Sequence, residues 1–323
     1  MEVVPLRVAV TAPLPQVWRQ RLEEAHPDVE FLWVSEKELP SHPHAGEVEV
    51  LVAYGWRVDR GLLESLPRLK WIQALSAGVD TLPLEDLRAR GIILTNARGV
   101  HGIPIREYAV GVLLAHARRI PFFWEKQREA HWETGMRTDE LYGQRVTVLG
   151  TGAIGRAIGE ALHFLGVEVV GVNRRGTPVE PFARIYPASS VKEAVAGSFG
   201  VVNILPLTKA TRNLLNRDTF SAFSPGSVFV NVGRGETVVE EDLLWALDEG
   251  PLAAAYLDVF REEPLPSDHP FWRHPKVFLT PHISGQTPRY MDRALPIFEE
   301  NLKPFREGRP EAMINRVSLE EGY

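Results

Sequence analysis

The chain has 323 residues, a formal net charge of −6, 44% hydrophobic residues and no cysteine. At roughly 100–200 residues per domain this is a two-domain length, and so ordinary a composition excludes a disordered, fibrous or coiled-coil chain. The charge excludes a globally basic nucleic-acid binder, the missing cysteine excludes disulfides, thiolate metal sites and a cysteine nucleophile, and no apolar run nears the roughly 18 residues of a membrane span. Short apolar runs then alternate with helical patterns. Strands are expected at Arg7–Thr11, Glu30–Trp33, Val50–Ala53, Trp71–Ala74 and Ile92–Thr95, with helices around Gln16–Ala25 and Leu84–Arg90. Such alternation predicts a parallel sheet flanked by helices. A longer helix is expected from about Ile105 to Arg119. A second series follows, with strands at Arg145–Leu149, Glu168–Val172, Ala183–Tyr186, Gly200–Ile204, Ser227–Val232, Ala254–Asp258 and Val277–Leu279. Helices such as Ile154–Leu165 and Glu240–Asp248 lie between them. The last helix, about Pro288–Arg306, carries Met291, Leu295, Phe298, Leu302 and Phe305 as one apolar stripe. Periodicity leaves open which domain that stripe packs on. The fold class read from this pattern is α/β, with two doubly wound parallel sheets. The first residues, MEVVPLRVAV, lack the basic and apolar regions of a secretion signal, so a cytoplasmic location is expected.

Within the second series stands Gly150-Thr151-Gly152-Ala153-Ile154-Gly155. Three glycines at this spacing permit a tight strand-to-helix turn, close backbone approach to a pyrophosphate and close helix packing. The phosphates are expected at the positive end of the helix. An apolar strand precedes the motif, a helical pattern follows it and a second strand comes next, which is the context dinucleotide binding requires. At the end of that second strand an NAD site usually has an acid for the ribose 2′-hydroxyl. This chain has Asn173-Arg174-Arg175 instead. Two guanidiniums there suit a 2′-phosphate, so NADP(H) is the preferred cofactor and NAD(H) the alternative.

Four further motifs follow in order: Ile204-Leu205-Pro206-Leu207-Thr208, Asn231-Val232-Gly233-Arg234-Gly235-Glu236, Leu257-Asp258-Val259-Phe260-Arg261-Glu262-Glu263-Pro264 and Thr280-Pro281-His282-Ile283-Ser284-Gly285. With Ser76-Ala77-Gly78-Val79-Asp80 upstream, the set resembles the D-isomer-specific 2-hydroxyacid dehydrogenases. That family includes glyoxylate/hydroxypyruvate reductases, D-lactate dehydrogenases and phosphoglycerate dehydrogenases. The resemblance implies a Rossmann cofactor domain, residues 104–285, inserted into a flavodoxin-like substrate domain made of residues 1–103 and 286–323. It implies an active site in the cleft and a homodimer formed through the cofactor domain. It also implies roles. Arg234 binds the 2-oxo group and carboxylate, His282 is the general acid/base and Glu263 is its carboxylate partner. The backbone of Ala77, Gly78 and Val79 receives the substrate carboxylate. Tyr54 and Trp56 follow a strand where relatives place the substrate side chain, which leaves either that role or aromatic packing at the strand end. Asp258 stands near the nicotinamide carboxamide. Leu205, Pro206, Val232, Gly233 and Gly285 are cofactor-contact positions.

The chemistry fits these residue types independently. Reducing a 2-oxo acid needs a fixed cation at the carbonyl, which arginine supplies as a bidentate fork. It needs a proton donor that titrates near neutrality, which is histidine, and a carboxylate beside that histidine keeps the imidazolium available. The partner expected is a small 2-oxo or 2-hydroxy acid, with no metal, nucleic acid or membrane. Within the same class the alternative is an NAD-linked enzyme acting on D-lactate, D-glycerate or 3-phosphoglycerate. No further C-terminal regulatory domain is expected. A different class is a dinucleotide-binding corepressor-like module, against which Arg234, Glu263 and His282 argue. Arg98 and Arg106 depart from the family pattern, which leaves either a structural role or a preference for a doubly charged substrate.

Overall fold

The computed structural model describes residues 5–79 and 81–320; Asp80 of the upstream motif lies outside them. The chain divides into two compact units, Met1–Val100 with Pro288–Tyr323, and His101–Thr287.

In the first unit β1 (Leu6–Val10), β2 (Val29–Trp33), β3 (Val50–Ala53), β4 (Trp71–Ala74) and β5 (Ile93–Thr95) form a parallel sheet ordered β2-β1-β3-β4-β5. This is the flavodoxin-like order. Helices α1 (Gln16–Ala25), α2 (Arg60–Glu64) and α3 (Leu84–Ala89) join the strands. Both sheet faces are covered, and β3 shows how. Val50 and Val52 enter one core with Val8, Val10 and Trp71, while Leu51 and Ala53 enter the other with Ile72, Ala74 and Leu94. Side chains alternate across a strand, so a run apolar at every position must be buried on both sides.

The second unit opens with α4 (Gly102–Ala117) and α5 (Ile120–Arg128). Its parallel sheet contains β6 (Arg145–Leu149), β7 (Glu168–Asn173), β8 (Arg184–Pro187), β9 (Gly200–Asn203), β10 (Ser227–Asn231), β11 (Leu252–Leu257) and β12 (Val277–Leu279). The order is β12-β11-β10-β9-β6-β7-β8, so the winding reverses between β6 and β9. In open α/β sheets ligands bind outside the carboxyl ends of the strands at such a reversal. One face packs on α4 and α6 (Ala153–Phe164), the other on α7 (Val191–Val195), α8 (Arg217–Phe220) and α9 (Glu240–Asp248).

The last helix, α10 (Tyr290–Arg306), belongs to the first unit. Its Leu295, Phe298 and Leu302 are buried with Trp71, whose ring stacks on Phe298 at 5.4 Å. The helix expected at Ile105–Arg119 is α4, and α5 follows it as a separate helix. Arg119 adopts φ 57, and Pro121 stands in the first turn of α5, a position where its missing N–H costs nothing. The expected domain boundary at 103/104 falls inside α4, whereas the chain divides just before that helix begins.

His116 sits on the inner side of α4, with its ring 6.0 Å from Tyr256 and 6.2 Å from Phe199. Burial, then Arg119, lower its pKa from the ordinary value to about 4. Its folded-state pKa is depressed, so its contribution is fully present above about pH 6.5 and is lost as the pH falls toward 4. His116→Gln is expected to flatten the fall in Tm over that window, measured by thermal melts across the pH range.

Candidate active site

The glycine turn follows β6. An added Cβ at Gly155 would lie 1.8 Å from the Gly150 carbonyl oxygen, so no side chain fits and α6 rises directly from the strand. Gly152 caps α6 without a side-chain hydrogen bond, and the first turn carries no acid. A Cβ added at Gly152 would meet nothing within 4 Å. Gly152 and Ala153 are exposed, while Ile154 is half-buried against the core. Such a helix start leaves backbone N–H groups and positive charge for an anion. The residues present therefore fit a pyrophosphate.

At the end of β7, Asn173 organises the next loop. Its Nδ2 donates to Thr151 Oγ1 (3.1 Å) and to the Thr177 carbonyl (2.8 Å), and its Oδ1 accepts from the amides of Arg175 and Thr177. Arg174 and Arg175 are exposed on that loop. Asn173 thus ties the two arginines to the glycine turn.

Arg234 follows β10 on a shelf built from beneath. Asn203 and Asn231 end β9 and β10 in register, both buried. Asn203 Nδ2 donates to Asn231 Oδ1 (2.9 Å) and to Thr237 Oγ1 (2.8 Å), and the Thr237 hydroxyl donates to the Arg234 carbonyl (2.6 Å). Gly235 sits so close to Phe260 that an added Cβ would lie 1.9 Å from its carbonyl carbon. The Arg234 loop and the loop leading to Glu263 are thereby pressed together. Asn203 and Thr237 escaped the sequence reading; for Asn203 the signal available was a polar residue closing the buried run VVN. Val232 is 4% exposed and its side chain enters the core. Gly233 is buried against the Leu205 backbone, Leu205 is half-buried and Pro206 is exposed.

His282 follows β12. Its Nδ1 lies 2.7 Å from Glu263 Oε2, while Glu263 Oε1 accepts from the Phe260 amide at 2.9 Å. The imidazole side chain is 53% exposed, so its far edge is open to a reactant. His282 adopts φ 52, a left-handed conformation that a non-glycine residue adopts only where its surroundings enforce it. Asp258, expected beside the nicotinamide, is 0% exposed. Its Oδ1 accepts from Thr280 Oγ1 (2.6 Å) and the Ile283 amide (2.8 Å), and its Oδ2 from the Ser284 amide (2.9 Å). Its carboxylate braces the histidine loop. Gly285 on that loop packs against the His101 ring, 3.2 Å from where a Cβ would stand.

In the first unit the loops after β3 and β4 meet. Ser76 Oγ donates to the Gly78 carbonyl and Asn96 Nδ2 to the Ala77 carbonyl, each at 2.8 Å. These bonds set the peptide planes of the Ala77-Gly78-Val79 loop. Tyr54 stacks on Trp56 at 4.6 Å, and burial raises the Tyr54 pKa.

The family profile described as D-isomer specific 2-hydroxyacid dehydrogenase, NAD binding domain, matches residues 110–284. A glyoxylate/hydroxypyruvate reductase A from Photorhabdus laumondii is 32% identical over 277 residues, 83% of this chain and 86% of that protein. The chain belongs to the D-isomer-specific 2-hydroxyacid dehydrogenase family. Two solved members frame it further. One, a family dehydrogenase from Xanthobacter autotrophicus in complex with NADPH and MES, is 30% identical with a TM-score of 0.85, covering 99% of this chain and 100% of that one. The other is an NADPH-dependent glyoxylate/hydroxypyruvate reductase from Sinorhizobium meliloti in complex with NADP and sulfate. It is 27% identical with a TM-score of 0.82, covering 98% of this chain and 100% of that one. As a member of this family the protein is an oxidoreductase that uses a nicotinamide cofactor and acts on small 2-hydroxy or 2-oxo acids. Among the described residues, no helix is long and apolar enough to cross a membrane.

Proposed function

We propose that the protein is an NADPH-preferring reductase of small 2-oxo acids of the glyoxylate or hydroxypyruvate type, oxidising D-2-hydroxy acids in reverse. The observation that carries this reading is the 2.7 Å contact between His282 Nδ1 and Glu263, with Arg234 on the adjoining loop. A nicotinamide cofactor held by Gly150, Gly152, Ala153, Ile154 and Gly155 supplies the hydride when bound. Arg234 grips the 2-oxo group and carboxylate, drawing electron density toward the carbonyl oxygen. His282 gives its Nε2 proton to the forming alkoxide while Nδ1 stays on Glu263, whose charge balances the imidazolium. In oxidation the same imidazole, neutral, accepts the hydroxyl proton. The test is loss of NADPH absorbance with a panel of 2-oxo acids. Turnover of glyoxylate or hydroxypyruvate is expected; tight NADPH binding without turnover of any acid would overturn the reading.

NADPH preference is supported by Arg174 and Arg175 at the end of β7 and by the relatives named with NADPH. Replacing both by alanine is expected to lower kcat/KM with NADPH on the order of 10²-fold, because each charge-assisted hydrogen bond is worth about 1.5–3 kcal/mol. The loss with NADH should be several-fold smaller. A wild type that already favours NADH in kcat/KM would refute the assignment. A cytoplasmic homodimer joined through the second unit belongs to the same reading. It is supported by large apolar side chains exposed there, Trp132 at 91% and Phe164 at 89%.

A further inference from the structure

Resting on the reading of His282 as proton donor, we propose that Tyr108 on α4 is a positioning residue that acts through Thr280 and Asp258 to hold the His282 loop. A direction of hydrogen bonding carries it. The Thr280 hydroxyl donates to Asp258 Oδ1 at 2.6 Å. A hydroxyl has one proton, so toward Tyr108, 2.8 Å away, Thr280 can only accept. The Tyr108 phenol is therefore the donor, and the chain runs Tyr108 to Thr280 to Asp258. Burial raises the Tyr108 pKa to about 12, so that proton stays in place through the assay range.

The far end of the chain brackets the imidazole. The His282 amide donates to the Asp258 carbonyl (2.9 Å), and the next two amides donate to the Asp258 carboxylate. Three successive amides of one loop thus end on a single residue, across the left-handed turn at His282. That residue is fully buried. A buried carboxylate is stable only while its acceptors are supplied with donors. Thr280 supplies one, and Tyr108 polarises and orients it. Weakening the chain loosens the loop and the alignment of Nδ1 with Glu263, with no contact to the cofactor turn disturbed.

Tyr108→Phe keeps the ring and removes only the hydroxyl. We expect kcat for 2-oxo acid reduction to fall about 3- to 10-fold, the scale of one net hydrogen bond, with the KM for NADPH and the Tm nearly unchanged. Thr280→Val should lower kcat further, and Thr280→Ser, which keeps the hydroxyl, should restore most of it. In the Thr280→Val background Tyr108→Phe should add little, because both break one chain. A readout independent of turnover is the ring-15N NMR signal of His282, assigned by its loss in His282→Ala and expected to shift in Tyr108→Phe. If the wild type reduces no 2-oxo acid, the functional reading fails while this signal still decides the positioning role. An unmoved His282 signal with unchanged kcat, a lowered Tm with unchanged kcat, or fully additive losses in the double variant would each overturn it.

Discussion

His282→Ala is expected to lower the rate of 2-oxo acid reduction by about 10²–10⁴-fold, the usual scale of general acid–base catalysis. The KM for NADPH should change little, because the imidazole lies on the loop after β12 and the glycine turn on the loop after β6. Glu263→Gln is the finer test. Glutamine keeps an oxygen for the Phe260 amide, which Glu263 now accepts at 2.9 Å, but removes the charge beside Nδ1. The rate of 2-oxo acid reduction is expected to fall several-fold, because the charge that balances the imidazolium is lost while the bond to the Phe260 amide is kept. Steady-state kinetics beside Glu263→Ala, which removes the loop brace as well, separates the two roles. An unchanged kcat in Glu263→Gln with a lowered kcat in Glu263→Ala would mean that Glu263 only braces its loop.

Arg234→Lys is expected to reduce kcat/KM for the 2-oxo acid by roughly 10²-fold, because lysine keeps the charge and loses the planar fork. Two charge-assisted hydrogen bonds at about 1.5–3 kcal/mol each bound the effect from above. The supporting shelf should survive. Thr237 and Asn231 hold the Arg234 backbone rather than its guanidinium, and Gly235 sets the loop against Phe260 whatever the side chain at 234. NADPH affinity, measured by fluorescence titration in the absence of substrate, should therefore stay near the wild-type value. Equal losses in cofactor and substrate binding would assign Arg234 to the cofactor or to the loop instead.

The Asn203–Asn231–Thr237 shelf and the Asp258 bracket share one design. In each, a buried polar side chain at or just beyond a strand end accepts from or donates to a loop leaving the sheet, its own or a neighbouring strand's. Backbone groups leaving a sheet lose their ladder partners and must find others. Here they find Asn231 under Gly233 and Asp258 under Ile283 and Ser284. The loops bearing Arg234 and His282 are thereby held by side chains in the sheet below them.

Much of this was legible in residue order. Strands such as Val50–Ala53, Trp71–Ala74 and Arg145–Leu149 stand where runs of apolar residues place them, because a strand covered on both faces has no polar side to show. The glycine spacing announced the turn, since only Gly155 tolerates the Gly150 carbonyl at that distance. The order of the later motifs named Arg234, Glu263 and His282 through a resemblance. Other features could be read only in three dimensions. A stripe at helical spacing says that a face of α10 is buried and not what buries it; Trp71, far away in the chain, supplies the answer. The break at Arg119 depends on a left-handed residue that no pattern requires. An acid at the end of a strand reads the same whether it faces a ligand or turns inward, and Asp258 turns inward because the amides of Ile283 and Ser284 reach it from another loop. By position alone Tyr108 is one aromatic among the apolar residues of a helix, and only the fold sets its hydroxyl 2.8 Å from Thr280. Local pattern records which residues avoid water and where the chain must bend; the partner of a buried polar group comes from another segment, and only packing brings the two together.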